Sequence, residues 1–249
     1  MDNHFTIIIP SYNNIQWIKE TIESAINQEY ENFDVIFIDD NSNDGTYEFV
    51  NEFFKDVKNL KIIQNEDRMY ALYNTKMGVE LSKDKSICII LDGDDKLKHN
   101  KVLNMLQFIY SLNVIYETWM TYGSYDTSSG GKPNHLRSFT YSEVVDNKFR
   151  EIEWLATHLR TFRKELFLKI RDEDFKDDNG EYLKITGDLA QQFPMLEMAG
   201  FHSLFIPEIL YTYNLENPIS DDKQRDLQYK TELELRKRNK YNKIKSLYD

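Results

Sequence analysis

The chain carries a single cysteine, so it can form no disulfide within itself. Cys88 sits inside the apolar run Ile87-Cys88-Ile89-Ile90-Leu91, which places it in the core as a small hydrophobe. No apolar run approaches the ~20 residues that span a bilayer. The N-terminus lacks the basic-then-apolar pattern of a secretion signal. These absences predict a soluble, cytoplasmic protein in a reducing compartment. Positive charge is also in short supply: 31 Lys and Arg face 42 Asp and Glu, a formal charge of −11. That balance argues against a chain that coats nucleic acid or an anionic membrane. Neither an internal repeat nor a long linker is visible.

What is present suits one large globular domain, with room for a modest C-terminal extension: 249 residues, 41% hydrophobic and 14% aromatic. Short apolar runs alternate with amphipathic stretches through the first half. Phe5–Ile9, Phe33–Ile38, Leu60–Ile63 and Ser86–Leu91 read as buried strands, the first ended by Pro10 and Ser11. Helices are predicted over 14–26, where Ile15, Ile18, Ile22 and Ile26 recur at helical spacing, and from an Asp44 N-cap to Phe54. Two more are predicted over 69–81 and 99–112. Continuous apolar strands alternating with helices predict an α/β fold with a mostly parallel central sheet covered on both faces. After about residue 115 the pattern weakens. Thr121–Asn134 reads as a polar stretch with a flexible loop at Ser128-Ser129-Gly130-Gly131. Thr186–Ala199 reads as a helix closed by Gly200 and bent by Pro194, and His202–Ile206 as a returning strand. A charged helix over 222–246, with the basic end Arg236-Lys237-Arg238, reads as a solvated surface element.

In a doubly wound sheet, ligands bind beyond the carboxyl ends of the strands where the strand order reverses. Three polar clusters stand at such ends: Pro10-Ser11-Tyr12-Asn13, Asp39-Asp40-Asn41-Ser42 and Asp92-Gly93-Asp94-Asp95. If strand one lies between strands two and four, all three meet in one crevice. Carboxylates so gathered must take up protons or recruit a cation, and hard oxygen ligands suit Mg²⁺ or Mn²⁺. The plainer reading of Asn43 and Asp44 is a turn and helix cap.

Ile8-Ile9-Pro10-Ser11-Tyr12-Asn13, then Asp39-Asp40-Asn41-Ser42-Asn43-Asp44-Gly45-Thr46, then Leu91-Asp92-Gly93-Asp94-Asp95, in this order and at strand ends, resemble glycosyltransferase family 2. The resemblance is clear over residues 5–100 and thins afterwards. It implies the GT-A (Rossmann-like) fold with a C-terminal helical extension: a glycosyltransferase domain over 1–220 and a charged helix over 221–249. Within the domain, 1–100 would form the nucleotide-binding half and 101–220 the acceptor half. It implies inverting transfer from a UDP-sugar donor to a carbohydrate or other hydroxyl acceptor, with Mn²⁺ or Mg²⁺. Carried over residue by residue, Pro10 and Tyr12 line base and ribose, Asp40 and its neighbour Asp39 face the uracil, and Arg68 contacts the nucleotide. Asp92-Gly93-Asp94 matches the DXD element: Asp92 and Asp94 contact the nucleotide-sugar, and Asp94 or Asp95 ligates the metal. Gly93 lets the backbone approach a ligand closely.

The acidic pair that family members carry at a helix start matches Gly187-Asp188. Asp188 keeps the second acid and is the candidate general base, whereas Gly187 stands where Glu is common. His158 and Trp154 are candidate acceptor or diphosphate contacts. Two other readings compete. Gly187 keeps open a nucleotide-sugar-binding module that has lost turnover. Asp92-Gly93-Asp94 also resembles the nucleophile motif of haloacid-dehalogenase-type phosphatases. There, however, Thr or Val would follow instead of Asp95-Lys96, and the motif would lie on the first strand.

Overall fold

The computed structural model describes residues 2–112, 117–219 and 223–248. The first half builds the expected alternation. Strands β1 (Phe5–Ser11), β2 (Phe33–Asp39), β3 (Leu60–Gln64) and β4 (Ile87–Ile90) are interleaved with helices α1 (Ile18–Ile26), α2 (Thr46–Phe54) and α3 (Tyr70–Leu81). A two-residue strand β5 (Lys96–Leu97) and helix α4 (Val102–Ser111) follow. β1 lies between β2 and β4, parallel to both, so the three polar clusters do share one crevice.

β1, β2 and β4 are apolar at most positions because both sheet faces are covered there, whereas edge strand β3 is partly exposed. Successive side chains point to opposite faces. Ile8, Ile36, Ile38, Cys88 and Ile90 therefore enter one core, while Ile7, Ile9, Val35, Phe37, Ile87 and Ile89 enter the other. Each fully buried aliphatic side chain contributes roughly 1.5–3 kcal/mol. Helix α1 begins at Ile18; residues 14–17 form a turn in which Trp17 N–H donates to Asn14 C=O at 2.9 Å. The N-cap of α2 is Gly45 and not the expected Asp44, although the Asp44 carboxylate still accepts from Thr46 N–H at 3.0 Å.

The second half extends the same sheet, and here the structure corrects the sequence expectation. The polar stretch at 121–134 begins as strand β6 (Met120–Thr127), and 128–131 forms a turn closed by Thr127 N–H on Gly131 C=O at 2.7 Å. Strand β7 (Thr157–Arg163) has no counterpart in the sequence reading, although it sits in mid-sheet, antiparallel to both β4 and β6. Short helices α5 (Tyr141–Val145) and α6 (Lys164–Phe167) flank it. Helix α7 (Gly187–Ala199) includes Pro194, and β8 (Ser203–Tyr213) runs well past the expected 206. The sheet order is β3-β2-β1-β4-β7-β6-β8-β5: parallel through β4 and mixed beyond it.

Helix α8 covers only Arg225–Lys237, and the expected start at 222 lies outside the described residues. It is charged and mostly solvent-facing, as expected, but its C-terminal end and the chain beyond it pack against the domain. Arg150, almost fully buried, forks onto Glu197 of α7 at 2.6 and 2.9 Å and donates to Leu235 C=O at 2.6 Å. Glu197 in turn accepts from Tyr241 N–H at 2.9 Å. Arg236 donates to the carbonyls of Arg150 and Ile152, and Arg238 to those of Asp174 and Lys176. Arg236 and Arg238 of the basic end thus satisfy backbone acceptors while Lys237 is exposed, and Leu235 and Leu247 join the same core as α7. Because the Arg150–Glu197 pair is desolvated, removing one partner strands the other. Glu197→Ala should lower unfolding free energy by about 3–5 kcal/mol in urea titrations; a loss below about 1 kcal/mol would show that the extension is held by other contacts.

Candidate active site

The cleft beyond β1, β2 and β4 has a volume of about 280 Å³ and is walled on its far side by β7, α7 and the segment after β8. Pro10, Tyr12, Asp40, Arg68, Asp92, Asp94, Asp95, His158 and Asp188 all line it. Asp39 and Trp154 do not.

Asp39 is fully buried beneath the β2 end, where it accepts from Ser42 N–H at 2.9 Å. Burial pushes its carboxyl above the ordinary range, and Oδ1 has no partner. It shapes the Asn41–Asn43 turn, in which Asn41 adopts φ 60°, and does not face a ligand. Trp154 packs edge-on against Phe193 with centroids 5.3 Å apart, as part of the core margin.

Asp40 carries more local structure than a loop-end acid would. Its carboxylate accepts from Asn65 Nδ2 at 2.9 Å, Met69 N–H at 2.7 Å and Tyr70 N–H at 2.8 Å, anchoring the start of α3. Substitution at Asp40 therefore disturbs α3 as well as the cleft. Tyr70 itself adopts φ 66°, an uncommon conformation for a bulky residue. Above Asp40, the Arg68 guanidinium lies 3.7 Å over the Tyr12 ring and 4.7 Å over the Tyr70 ring. The face of Tyr12 that a base would stack on is thus met by a cation.

The acidic element at the β4 end is packed, not open. A Cβ on Gly93 would lie 2.6 Å from Ser11 Oγ and 2.7 Å from Asn14 Nδ2, so glycine is required by the β1 loop and not by a ligand. Asp95 is buried; Tyr211 O–H donates to its Oδ2 at 2.6 Å and Asn214 N–H to its Oδ1 at 2.6 Å. Burial, then the charges of Asp94 and Asp92, hold the Asp95 carboxyl well above its ordinary value. Asp94 accepts from Asn217 Nδ2 at 2.7 Å, and Asn217 also reaches Asn14 Oδ1 at 3.1 Å, so the segment after β8 latches onto the acidic loop.

The group that best fits a divalent cation is Asp92, Asp95 and His158, whose ligand atoms lie within 4.8 Å of one another. This differs from the expected Asp94–Asp95 pair. The two carboxylate oxygens suit Mn²⁺ or Mg²⁺, and the imidazole favours a transition ion such as Mn²⁺ over Mg²⁺. Burial and the Arg160 charge hold His158 well below its ordinary value, keeping it the neutral imidazole that a ligand must be.

Arg160, absent from the sequence reading, is central. It reaches from β7, with side chain only 7% exposed, between the two acidic centres. Nη1 lies 3.1 Å from Asp188 Oδ2, and Nη2 lies 3.4 Å from Asp92 Oδ2 and 3.2 Å from His158 Nδ1. His158 and Arg160 share one strand face because they are two residues apart. Reading Thr157–Arg163 as a strand would have found the pair.

Asp188 occupies the first turn of α7, where the helix field favours a carboxylate. About a third of its side-chain surface faces the cleft, yet surrounding protein raises its carboxyl above the ordinary 3.8, with Arg160 opposing the rise. Thr186, just before it, adopts φ 60°, strained for a β-branched residue and the mark of a locally over-determined site. Gly187 has a packing reason: a Cβ there would sit 2.9 Å from Leu72 Cβ on α3. Leu72 fills the space that a side chain at 187 would need.

Comparison with known proteins identifies the family. The glycosyl transferase family 2 profile matches residues 6–171, and the chain belongs to that family. It is 24% identical over 182 residues to glycosyltransferase GlyG of Streptococcus pneumoniae serotype 4, covering 68% of this chain and 60% of GlyG. Among solved structures it resembles S. aureus TarS 1–349 in complex with UDP-GlcNAc (TM-score 0.60, 16% identity, 86% of this chain and 59% of that one). It also resembles the mannosyltransferase PcManGT from Pyrobaculum calidifontis in complex with GDP-Man and Mn²⁺ (TM-score 0.63, 15% identity, 95% and 63%). These likenesses establish the GT-A fold. The chain spans only about three-fifths of GlyG. No helix among the described residues is long and apolar enough to cross a membrane.

The Gly187–Leu72 contact is directly testable. Gly187→Ala should cost about 1–3 kcal/mol of stability through overpacking, whereas in a Leu72→Gly background, which removes the clashing Cβ itself, it should be close to neutral. Equal cost in both backgrounds would mean that Leu72 is not what excludes a side chain at 187.

Proposed function

We propose that the chain transfers a sugar from a UDP-sugar to a hydroxyl acceptor with inversion, with Asp188 as the general base. The carrying observation is that Asp188 faces the Asp92–Asp95 element across one cleft, joined to it through Arg160. Residues 1–100 would hold the nucleotide and 101–220 the acceptor, with α8 and its continuation bracing α7. Tyr12, Arg68 and Asp40 form the base-binding end. UDP-GlcNAc in the related TarS structure supports a uridine donor.

Asp92, Asp95 and His158 would hold Mn²⁺ or Mg²⁺, which supplies positive charge for the diphosphate as it leaves; the Mn²⁺ of the related PcManGT supports this. The chain's own residues do the rest. Asp188 accepts the proton of the acceptor hydroxyl, whose oxygen attacks the anomeric carbon from the face opposite the departing UDP. Arg160 orients the Asp188 carboxylate through Nη1 and prevents it from turning away. A single protein carboxylate then suffices, unlike the paired acids of hydrolases. Asp188 must be ionised to act, and its carboxyl is held above the ordinary range. Transfer should therefore rise with pH along a limb lying above that of an exposed aspartate.

Two measurements check this reading. Asp188→Asn keeps shape but accepts no proton, so transfer should fall by ~10²–10⁴ while calorimetric UDP affinity stays within a few-fold of the parent. Activity retained within a few-fold would dismiss Asp188 as base. Separately, UDP should raise the melting temperature more with Mn²⁺ than with chelator; equal shifts would rule out a cation bridging diphosphate and protein.

A further inference from the structure

We infer that Arg160 is the protein's own stand-in for the divalent cation, and that on metal binding it releases Asp92 while keeping Asp188. Its Nη2 contacts Asp92 Oδ2 at 3.4 Å and His158 Nδ1 at 3.2 Å, two of the three groups that with Asp95 can hold a metal. A guanidinium N–H thus sits where a cation would be drawn, and the two positive groups compete for the same lone pairs.

The attachment of the side chain permits such an exchange. Nε is buried and makes no hydrogen bond, so the guanidinium is held only through its terminal nitrogens. Nη1 is tied to Asp188 at 3.1 Å, a shorter contact than the one to Asp92. Losing the longer contact leaves the shorter one as a hinge. Arg160 then remains beside Asp188 and adjacent to the incoming diphosphate, so the same displacement that admits the cation leaves a charged donor near the leaving group. A lysine cannot copy this, because it lacks two separated nitrogens in one plane.

The cation exchange is independent of transfer; the role toward Asp188 rests on the function proposed above. The experiment is Mn²⁺ titration of the full chain without nucleotide, followed by electron paramagnetic resonance of free Mn²⁺, on the parent, Arg160→Met and Arg160→Lys. Removing the competing charge should tighten Mn²⁺ binding by about tenfold in Arg160→Met, whereas Arg160→Lys stays within about threefold of the parent. Unchanged or weaker binding in folded Arg160→Met overturns the inference. Circular dichroism melts report folding, and Arg160→Gln serves if Arg160→Met does not fold.

In steady-state assays both variants should lose kcat by about 10², with the donor KM within about threefold. A loss confined to donor KM at unchanged kcat would overturn the positioning of Asp188. A tightened Mn²⁺ affinity with a parent that transfers no sugar would sustain the stand-in role and refute the transfer reading.

Discussion

A carboxylate taken out of water must be met by donors, and in this fold most of the acids at the cleft and behind α7 meet that demand by joining segments far apart in the chain. Asp40 fastens the end of β2 to the start of α3. Asp95 fastens the end of β4 to the end of β8 through Tyr211 and Asn214. Asp92 and Asp188 meet through Arg160, and Glu197 binds α7 to the chain beyond α8 through Arg150 and Tyr241. The same residues that give the cleft its chemistry therefore hold its walls in register. The acidic cluster is itself a structural element, and its repulsion is contained by placing one guanidinium at its centre.

How far the sequence could be read follows from how each strand is buried. β1, β2 and β4 are covered on both faces and therefore apolar at most positions, so their places in the chain were legible, as was the convergence of the three polar clusters. β7 is equally buried but reads as polar. Thr161 satisfies its hydroxyl between Tyr110 and Thr121, Arg163 donates to Thr118 C=O, and Arg160 pairs with acids. Hydropathy carries no trace of partners that lie in distant segments of the chain. Arg160 was missed for that reason, and with it the link between Asp92 and Asp188. Asp39 and Trp154 failed in the opposite sense: residue type and position suggested a ligand contact, but burial turned Asp39 toward Ser42 and Trp154 toward Phe193.

Gly187 shows how a departure from a family pattern can be local in cause. The missing acid leaves no hole, because α3 has moved its Leu72 into the space, and Asp188 keeps its place at the helix start. Contact between α3 and α7 also connects the two ends of the cleft. α3 begins on Asp40 at the base-binding end, and its neighbour α7 begins beside Asp188 at the reacting end.

The latch between α7 and the chain beyond α8 bears on the order in which the protein takes shape during synthesis. Leu235, Tyr241 and Leu247 complete the burial of α7, and Glu197 finds its second partner only at Tyr241. A nascent chain that has emerged as far as β8 already holds every residue lining the nucleotide end, yet Arg150 and Glu197 are still half satisfied. The helix that presents Asp188 thus gains its last supports only once the stretch from Asn214 to Tyr241 and Leu247 has followed β8 out of the ribosome.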